Sequence, residues 1–379
     1  MPLDLKPAIL TRVSHGPCRL RDAPAQSRLM TAITPPPLRH ALADLSPANF
    51  GMVMATGIVS IALHLLGWPV LARALLVVNI VLYVGLWVLT VLRLMRHRAR
   101  VVQDLTDHGR GPGYFTMVAG SGVLGCQCLL LGGPREAALA LWGATVALWL
   151  LLTYGIFAAL TTKAVKPTLD RGISGTWLLA VVATQSIAVL GELLAPGFPA
   201  GPRMAMNFLA LALWLWGGML YIWIMTLIFY RYTFFTLAAQ DLTPPYWINM
   251  GAMAISTLAG TLLTMATPQA PFLHPLRPFI EGFTLFYWAS GTWWIPLLLV
   301  LGVWRHVIER VPLRYDPMYW GAVFPLGMYA VCTFDLIQAL DLHFLQWLPP
   351  LFGTAAVLAW GLAFGGLLHR VGQWARQRR

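Results

Sequence analysis

The sequence predicts an all-α membrane protein: ten transmembrane helices, paired as five helical hairpins around a central pore. Three observations predict it. Of the 379 residues 58% are hydrophobic and only 11% charged, against about 25% charged in a soluble domain, so too little polar surface exists to cover a water-soluble fold. Ten stretches approach the roughly 20 apolar residues that cross a bilayer. The basic residues gather in alternate connections, as the positive-inside bias requires.

In order, the spans cover 49–66, 70–92, 115–132, 137–160, 174–193, 206–229, 247–266, 280–303, 319–340 and 348–368, punctuated by Pro, Gly and charge clusters. The links after spans one, three and nine are a few residues long, as in tight hairpins. All 26 basic residues can be placed on this scheme. The N-terminal tail, the second, fourth, sixth and eighth connections and the C-terminal tail together hold 22; Arg73, Arg135, Arg203 and Arg277 lie on the other side. Both termini are therefore expected in the cytoplasm, and a miscounted span would scramble the alternation. The net charge of +12 reads as this loop bias, and no nucleic-acid partner is expected.

Residues 1–45 are basic, Pro-rich and without an apolar stretch, so they read as a disordered cytoplasmic tail rather than a signal peptide. Met30 already opens a complete lead-in and is an alternative start. The ten-span domain occupies 46–370, and 371–379 form a second basic cytoplasmic tail.

An internal repeat runs through the spans. Phe50-Gly-Met-Val-Met-Ala-Thr56-Gly57-Ile-Val-Ser60 lies over Phe115-Thr-Met-Val-Ala-Gly-Ser121-Gly122-Val-Leu-Gly125. The other odd spans keep an aromatic followed seven residues later by a small residue: Trp177 and Thr184, Trp247 and Ala254, Trp320 and Gly327. Each repeat is one hairpin. The odd spans total 98 residues with 17 Leu, 3 Trp and 13 Ser or Thr; the even ones total 116 with 31 Leu, 10 Trp and 8 Ser or Thr. The odd helices are thus expected inside, where small residues permit close approach and hydroxyls line a polar path, with the even helices toward lipid. Thr56, Gly57, Ser121, Gly122, Thr184, Ser256, Pro325 and Gly327 are the expected pore lining.

Few ionisable groups fall within spans: His64, Arg73, Glu192, Glu281 and Asp335, all toward the external end. Such residues in a membrane are functional candidates. Asp335, Glu281 and His64 are candidate proton carriers, Asp335 being the deepest, with Arg73 or Arg277 as its possible partner. Otherwise these groups merely reach the outer interface. A lumen without carboxylate rings and with a basic cytoplasmic mouth favours anions. Pro325 frees a carbonyl and kinks the ninth span; Phe324 beside it either swings into the pore or packs against core or lipid. No HExxH, GxSxG, P-loop or paired CxxC motif occurs, so neither an enzyme nor a cofactor or metal is expected. Asp104, Asp107 and His108 form the one acidic cluster, read as a solvated loop, with a metal site as its alternative. The four cysteines are too scattered for a disulfide framework.

"NFGMVMATGIVS" opening the first span, "YWGAVFPLGMYA" opening the ninth and the five-hairpin repeat resemble the tellurite-resistance/C4-dicarboxylate transporter family, similar to plant slow anion channels, fungal malate transporters and sulfite efflux pumps (the voltage-dependent anion channel/malic acid transport family). The resemblance covers about residues 45–370. It implies a homotrimer in a bacterial-type inner membrane, each protomer with its own pore between the odd helices. It also implies small inorganic or dicarboxylate anions as substrates: chloride, nitrate, malate, sulfite or tellurite-type oxyanions. The family's aromatic-x-x-x-Phe-Pro motif matches Trp320-Gly-Ala-Val-Phe324-Pro325, making Phe324 the implied gate, with Phe334 the weaker candidate. A proton-coupled dicarboxylate or sulfite transporter is the alternative to a channel.

Overall fold

A computed structural model of the protein describes residues 42–313 and 315–376. Ten long helices build it: α1 (Gly51–Leu65), α2 (Pro69–Leu105), α3 (Phe115–Leu130), α4 (Arg135–Thr162), α5 (Leu179–Leu194), α6 (Ala200–Phe234), α7 (Ile248–Ala266), α8 (Arg277–Val303), α9 (Trp320–Leu340) and α10 (Leu348–Arg376). Each corresponds to one expected span, and all ten are long and apolar enough, with their leading turns, to cross a membrane. Among the described residues there is no strand. The expected tail, and Met30 with it, lies outside the described residues up to position 41. Residues 371–376 of the expected C-terminal tail continue α10.

The odd helices form a closed inner ring. Each packs on the next, and α9 closes back on α1. Each even helix packs outside the odd helix that precedes it. Burial follows this division. Every residue of α1 from Gly51 to Leu63 is buried. In α2 only Ala72, Leu75, Asn79, Leu86, Arg93 and Asp104 are buried, a narrow stripe at helical spacing. The remainder of α2, from Val77 to Met95, exposes Val and Leu side chains to the surroundings, as a lipid-facing helix must. The helix breaks at His97 (φ −136°, ψ 38°) inside its arginine cluster, which ends the apolar part.

Each inner helix is entered through a single 3-10 turn: Pro47–Phe50, Gly111–Tyr114, Gly175–Leu178, Pro244–Trp247 and Pro317–Tyr319. Pro, with its preset φ and no N–H to leave unpaired, suits the first turn of a helix. These five turns touch one another in a second closed ring, a collar around the N-terminal ends of the inner helices. All five inner helices therefore run in one direction. At the far ends α1 and α3 reverse through Gly67 (φ 87°) and Gly132 (φ 80°), where a side chain would be strained.

Two repeated sets of hydrogen bonds tie the rings together. The first crosses from each outer helix to the next hairpin's inner helix. Tyr83 meets the Ser121 hydroxyl at 2.9 Å, Trp149 donates to Thr184 Oγ1 at 2.8 Å, and Trp214 donates to the Ser256 carbonyl at 2.9 Å. Trp288 donates to Thr333 Oγ1 at 3.0 Å, and Trp360 donates back to Thr56 Oγ1 at 2.9 Å, closing the circle. An indole N–H inside a membrane needs such a partner. Membrane hydrogen bonds of this kind contribute about 0.6 kcal/mol, with a maximum near 1.7. A double-mutant cycle of Trp149→Phe and Thr184→Val is expected to give a coupling in that range by unfolding in mixed micelles; zero coupling would remove the seam as a stabilising feature.

The second set sits at the collar. In four hairpins a cation in the C-terminal part of the outer helix, or just past it, donates to a backbone carbonyl ahead of that hairpin's own inner helix. Arg93 reaches Ala43 O at 2.9 Å, Lys163 reaches Thr106 O at 2.8 Å, Arg231 reaches Ile173 O at 3.1 Å and Arg305 reaches Ala239 O at 3.0 Å. Arg231 also donates to the Tyr246 hydroxyl, and Arg305 to Leu242 O. Residues counted in the sequence as topology signals are thus also latches. Ala43, within the expected tail, is tied down by one of them.

Candidate functional site

An axial cavity of about 170 Å³ opens within the inner ring, toward the ends of the helices away from the collar. All five inner helices line it and no outer helix does. Its wall is aliphatic: Ile58 and Ile61 of α1, Val123 of α3, Val189 of α5, Leu258 of α7 and Val331 of α9 are typical. The polar groups on it are Ser186, Cys126 and one carboxylate, Asp335. The Ser186 hydroxyl donates to Ala183 O at 2.7 Å and is committed to its own helix.

Helical spacing links this cavity to Phe324. Met328, Val331 and Asp335 line it and stand four, seven and eleven residues beyond Phe324. At 100° per residue these positions lie within about 40° of Phe324 on the same face. Phe324 is fully buried, at 0% exposure, one turn below the cavity. The same four-residue step down from Ile58, Val123, Ser186 and Ile255 reaches Met54, Ala119, Val182 and Gly251, all buried. Phe324 is the bulkiest side chain of that layer. Its neighbours hold the helix in place. A Cβ on Gly251 would stand 2.7 Å from Pro325 Cγ, and one on Gly327 would stand 2.9 Å from Ile58 Cγ2. Gly251 and Gly327 thus let α9 approach α7 on one side and α1 on the other.

The expected polar lining is placed elsewhere. Thr56, Ser121 and Thr184 direct their hydroxyls to Trp360, Tyr83 and Trp149, and each stands two residues from a cavity-lining position, about 200° around the helix. The Ser256 hydroxyl donates to Ala252 O of its own helix. Gly57 packs on Val123 and Asn79, Gly122 on Ser186 and Gly327 on Ile58. These residues form helix contacts rather than cavity wall. Hydroxyl content marked the inner helices correctly, but the hydroxyls serve the seam to the outer ring, where the aromatic donors need acceptors. Ile58, Val123, Ser186 and Met328, which do line the cavity, had no signal in the sequence that separates them from core.

The ionisable candidates separate in the same way. Glu281 pairs with Arg277 at 2.7 Å on the surface. His64 is half-buried at the end of α1 and is absent from the cavity wall. Among the described residues no basic group stands within ion-pair distance of Asp335, so the partnership expected with Arg73 or Arg277 is not made. Glu192 does not reach the interface. It is 5% exposed and sits in a side chamber with Arg203, Asn207 and Gln269; with its amide turned to donate, Asn207 lies 3.2 Å from both carboxylate oxygens.

The acidic cluster faces three ways. Asp104 is gripped by Arg93 (2.6 Å) and Arg110 (2.7 Å). Asp107 accepts from the Gly109 and Arg110 backbone N–H groups. His108 leans on Trp177, and burial with Lys163 nearby holds its imidazole below the ordinary value. Among the described residues no group of three His, Cys, Asp or Glu is arranged to hold a metal.

The voltage-dependent anion channel family model matches residues 44–368, from ahead of α1 into α10. An uncharacterized membrane protein of Mycobacterium tuberculosis (strain H37Rv) is 39% identical over 153 residues, 40% of this chain and 77% of its own. An uncharacterized transporter of Methanocaldococcus jannaschii is 24% identical over 303 residues, 76% of this chain and 82% of its own. A sulfite efflux pump of Arthroderma benhamiae is 21% identical over 356 residues, 87% of this chain and 92% of its own. A match through the whole inner ring, on a fold of ten membrane helices, makes this a multi-pass protein of the anion channel and transporter class, and the chain belongs to the voltage-dependent anion channel family.

Proposed function

We propose that small anions cross the membrane along the axis of the inner ring and that Phe324 gates the path. The axial cavity, lined by all five inner helices with Phe324 on the same face one turn below, carries this reading. Five parallel helices bring five N-termini together at the collar, and each contributes about half a positive charge there. Lys163, Arg231 and Arg305 are fixed at the same end. Anions are thereby drawn to the collar, which the basic-residue bias assigns to the cytoplasm of a bacterial-type inner membrane, with both termini on that side.

The substrates are small anions of the chloride, nitrate, sulfite or malate kind. The resemblance to sulfite efflux pumps supports sulfite, and assembly as a trimer of separately conducting protomers follows from the family resemblance. Purified protein in planar bilayers is expected to carry a current whose reversal potential follows the anion gradient. Cys126 on the cavity wall is expected to react with a water-soluble thiol reagent added on the face opposite the collar, and that reaction to reduce the current. Absence of anion current from both the parent and the Phe324→Ala protein would remove the proposal.

Proton-coupled transport is the second reading, because a carboxyl group, Asp335, lines the cavity. Flux that needs a pH gradient across liposomes would favour it; a current independent of the gradient would remove it.

A further inference from the structure

The axial cavity is lined by one acidic side chain, Asp335, and its ionised form has the wrong sign for binding an anion. Asp335 is half-buried on the cavity-facing stripe of α9, eleven residues and therefore about 16 Å along the helix from Phe324. It is not neutralised by an ion pair: Arg277 is held by Glu281, and Arg73 is exposed on the lipid side of α2. The elements packed on α9 bring few other titratable groups to this end. On α1 there is His64, on α8 Arg277, Glu281 and Tyr287, and in the turn after α9 Asp341 and His343, which pair with each other at 2.7 Å; α7 has none, and on α10 the first beyond Leu348 is His369. Nor does the wall offer compensating donors, since Ser186 is bonded to its own helix.

We propose that Asp335 is a valence filter at the end of the path away from the collar, passing univalent anions, including the singly protonated forms of sulfite and malate, in preference to divalent ones. The inference rests on the reading that anions use the axial cavity. Repulsion from one carboxylate grows in proportion to the charge of the passing ion. An anion of charge −1 meets a barrier that the positive collar, the N-terminal dipoles and the membrane potential can offset. A dianion of similar size meets twice that barrier in a confined apolar space, where screening is weaker than in water. A carboxylate placed here therefore limits permeation by charge, while Phe324 limits it by size.

The test measures the permeability ratio of sulfate to chloride, from bi-ionic reversal potentials of the full-length protein in planar bilayers. Asp335→Asn is expected to raise the ratio about tenfold, the discrimination one extra charge meets at several ångströms in an intermediate dielectric. Asp335→Glu, which keeps the charge, is expected to retain the parental ratio and controls for disturbed packing. An unchanged ratio in Asp335→Asn with its chloride current intact overturns the filter. So does a ratio that rises equally in Asp335→Glu. Loss of dependence on a proton gradient in Asp335→Asn, without a change in ratio, assigns the residue to proton transfer instead and also overturns it. No chloride current from the parent or any variant would remove the axial reading, and the filter with it.

Discussion

Phe324→Ala is expected to raise anion flux severalfold over the parent at equal protein. The side chain is fully buried in a layer whose other members, by helical spacing, are Met54, Ala119, Val182 and Gly251. Two of those five positions are Ala or Gly, so in the proposed path the phenyl ring is the largest single side chain of the layer below the cavity. Truncation to Ala removes that bulk and joins the cavity to the collar. The same truncation deletes buried apolar contacts and is expected to cost about 3–5 kcal/mol of stability. Phe324→Leu provides the intermediate case, with smaller effects on both quantities. Chloride currents normalised to reconstituted protein give the answer. If both variants fold, as judged by size-exclusion behaviour, and conduct no better than the parent, Phe324 is a packing residue and the constriction lies elsewhere.

Asp104→Ala is expected to cost about 3–5 kcal/mol of stability, because it leaves the Arg93 guanidinium buried without its counter-charge. Arg93 and Asp104 are 3% and 7% exposed, and their 2.6 Å contact ties together the two parts of α2 on either side of its break at His97, while Asp104 also holds Arg110 in the connection that enters α3. Arg93 also holds Ala43 O and the Tyr114 hydroxyl, so losing the pair loosens two of the five collar segments. Asp107→Ala, in the loop that follows α2, is the control. Its carboxylate serves only exposed backbone N–H groups, and losing a cap of that kind costs about 1 kcal/mol. Thermal unfolding in detergent compares the two. Equal, small losses would mean that water screens the Arg93–Asp104 pair as it does a surface ion pair.

Much of the architecture was legible in residue types. A bilayer requires apolar stretches of a minimum length, so ten spans could be counted. Inner helices pack on all sides and outer ones face lipid, so the first are rich in small and hydroxyl residues and the second in Leu and Trp, and hairpin pairs stood out. The motif at Trp320–Pro325 placed Phe324 on an inner helix, and Asp335 was visible as a deep carboxylate.

What stayed hidden was direction around each inner helix. A helix buried on every face carries no apolar stripe to show which side meets the axis, and the hydroxyls misled. Thr56 reads as pore lining until Trp360, 304 residues away in the chain, is found donating to it. Likewise the basic residues support the proposed side of the membrane, but that Arg93, Lys163, Arg231 and Arg305 each hold a specific carbonyl depends on where the outer helices run in space. Composition alone determined how many helices cross the membrane and which form the inner set, because each residue's solvation cost is local. The tertiary structure decided which faces meet the axis, the seam or the collar, because a hydrogen bond between distant helices exists only after they are packed.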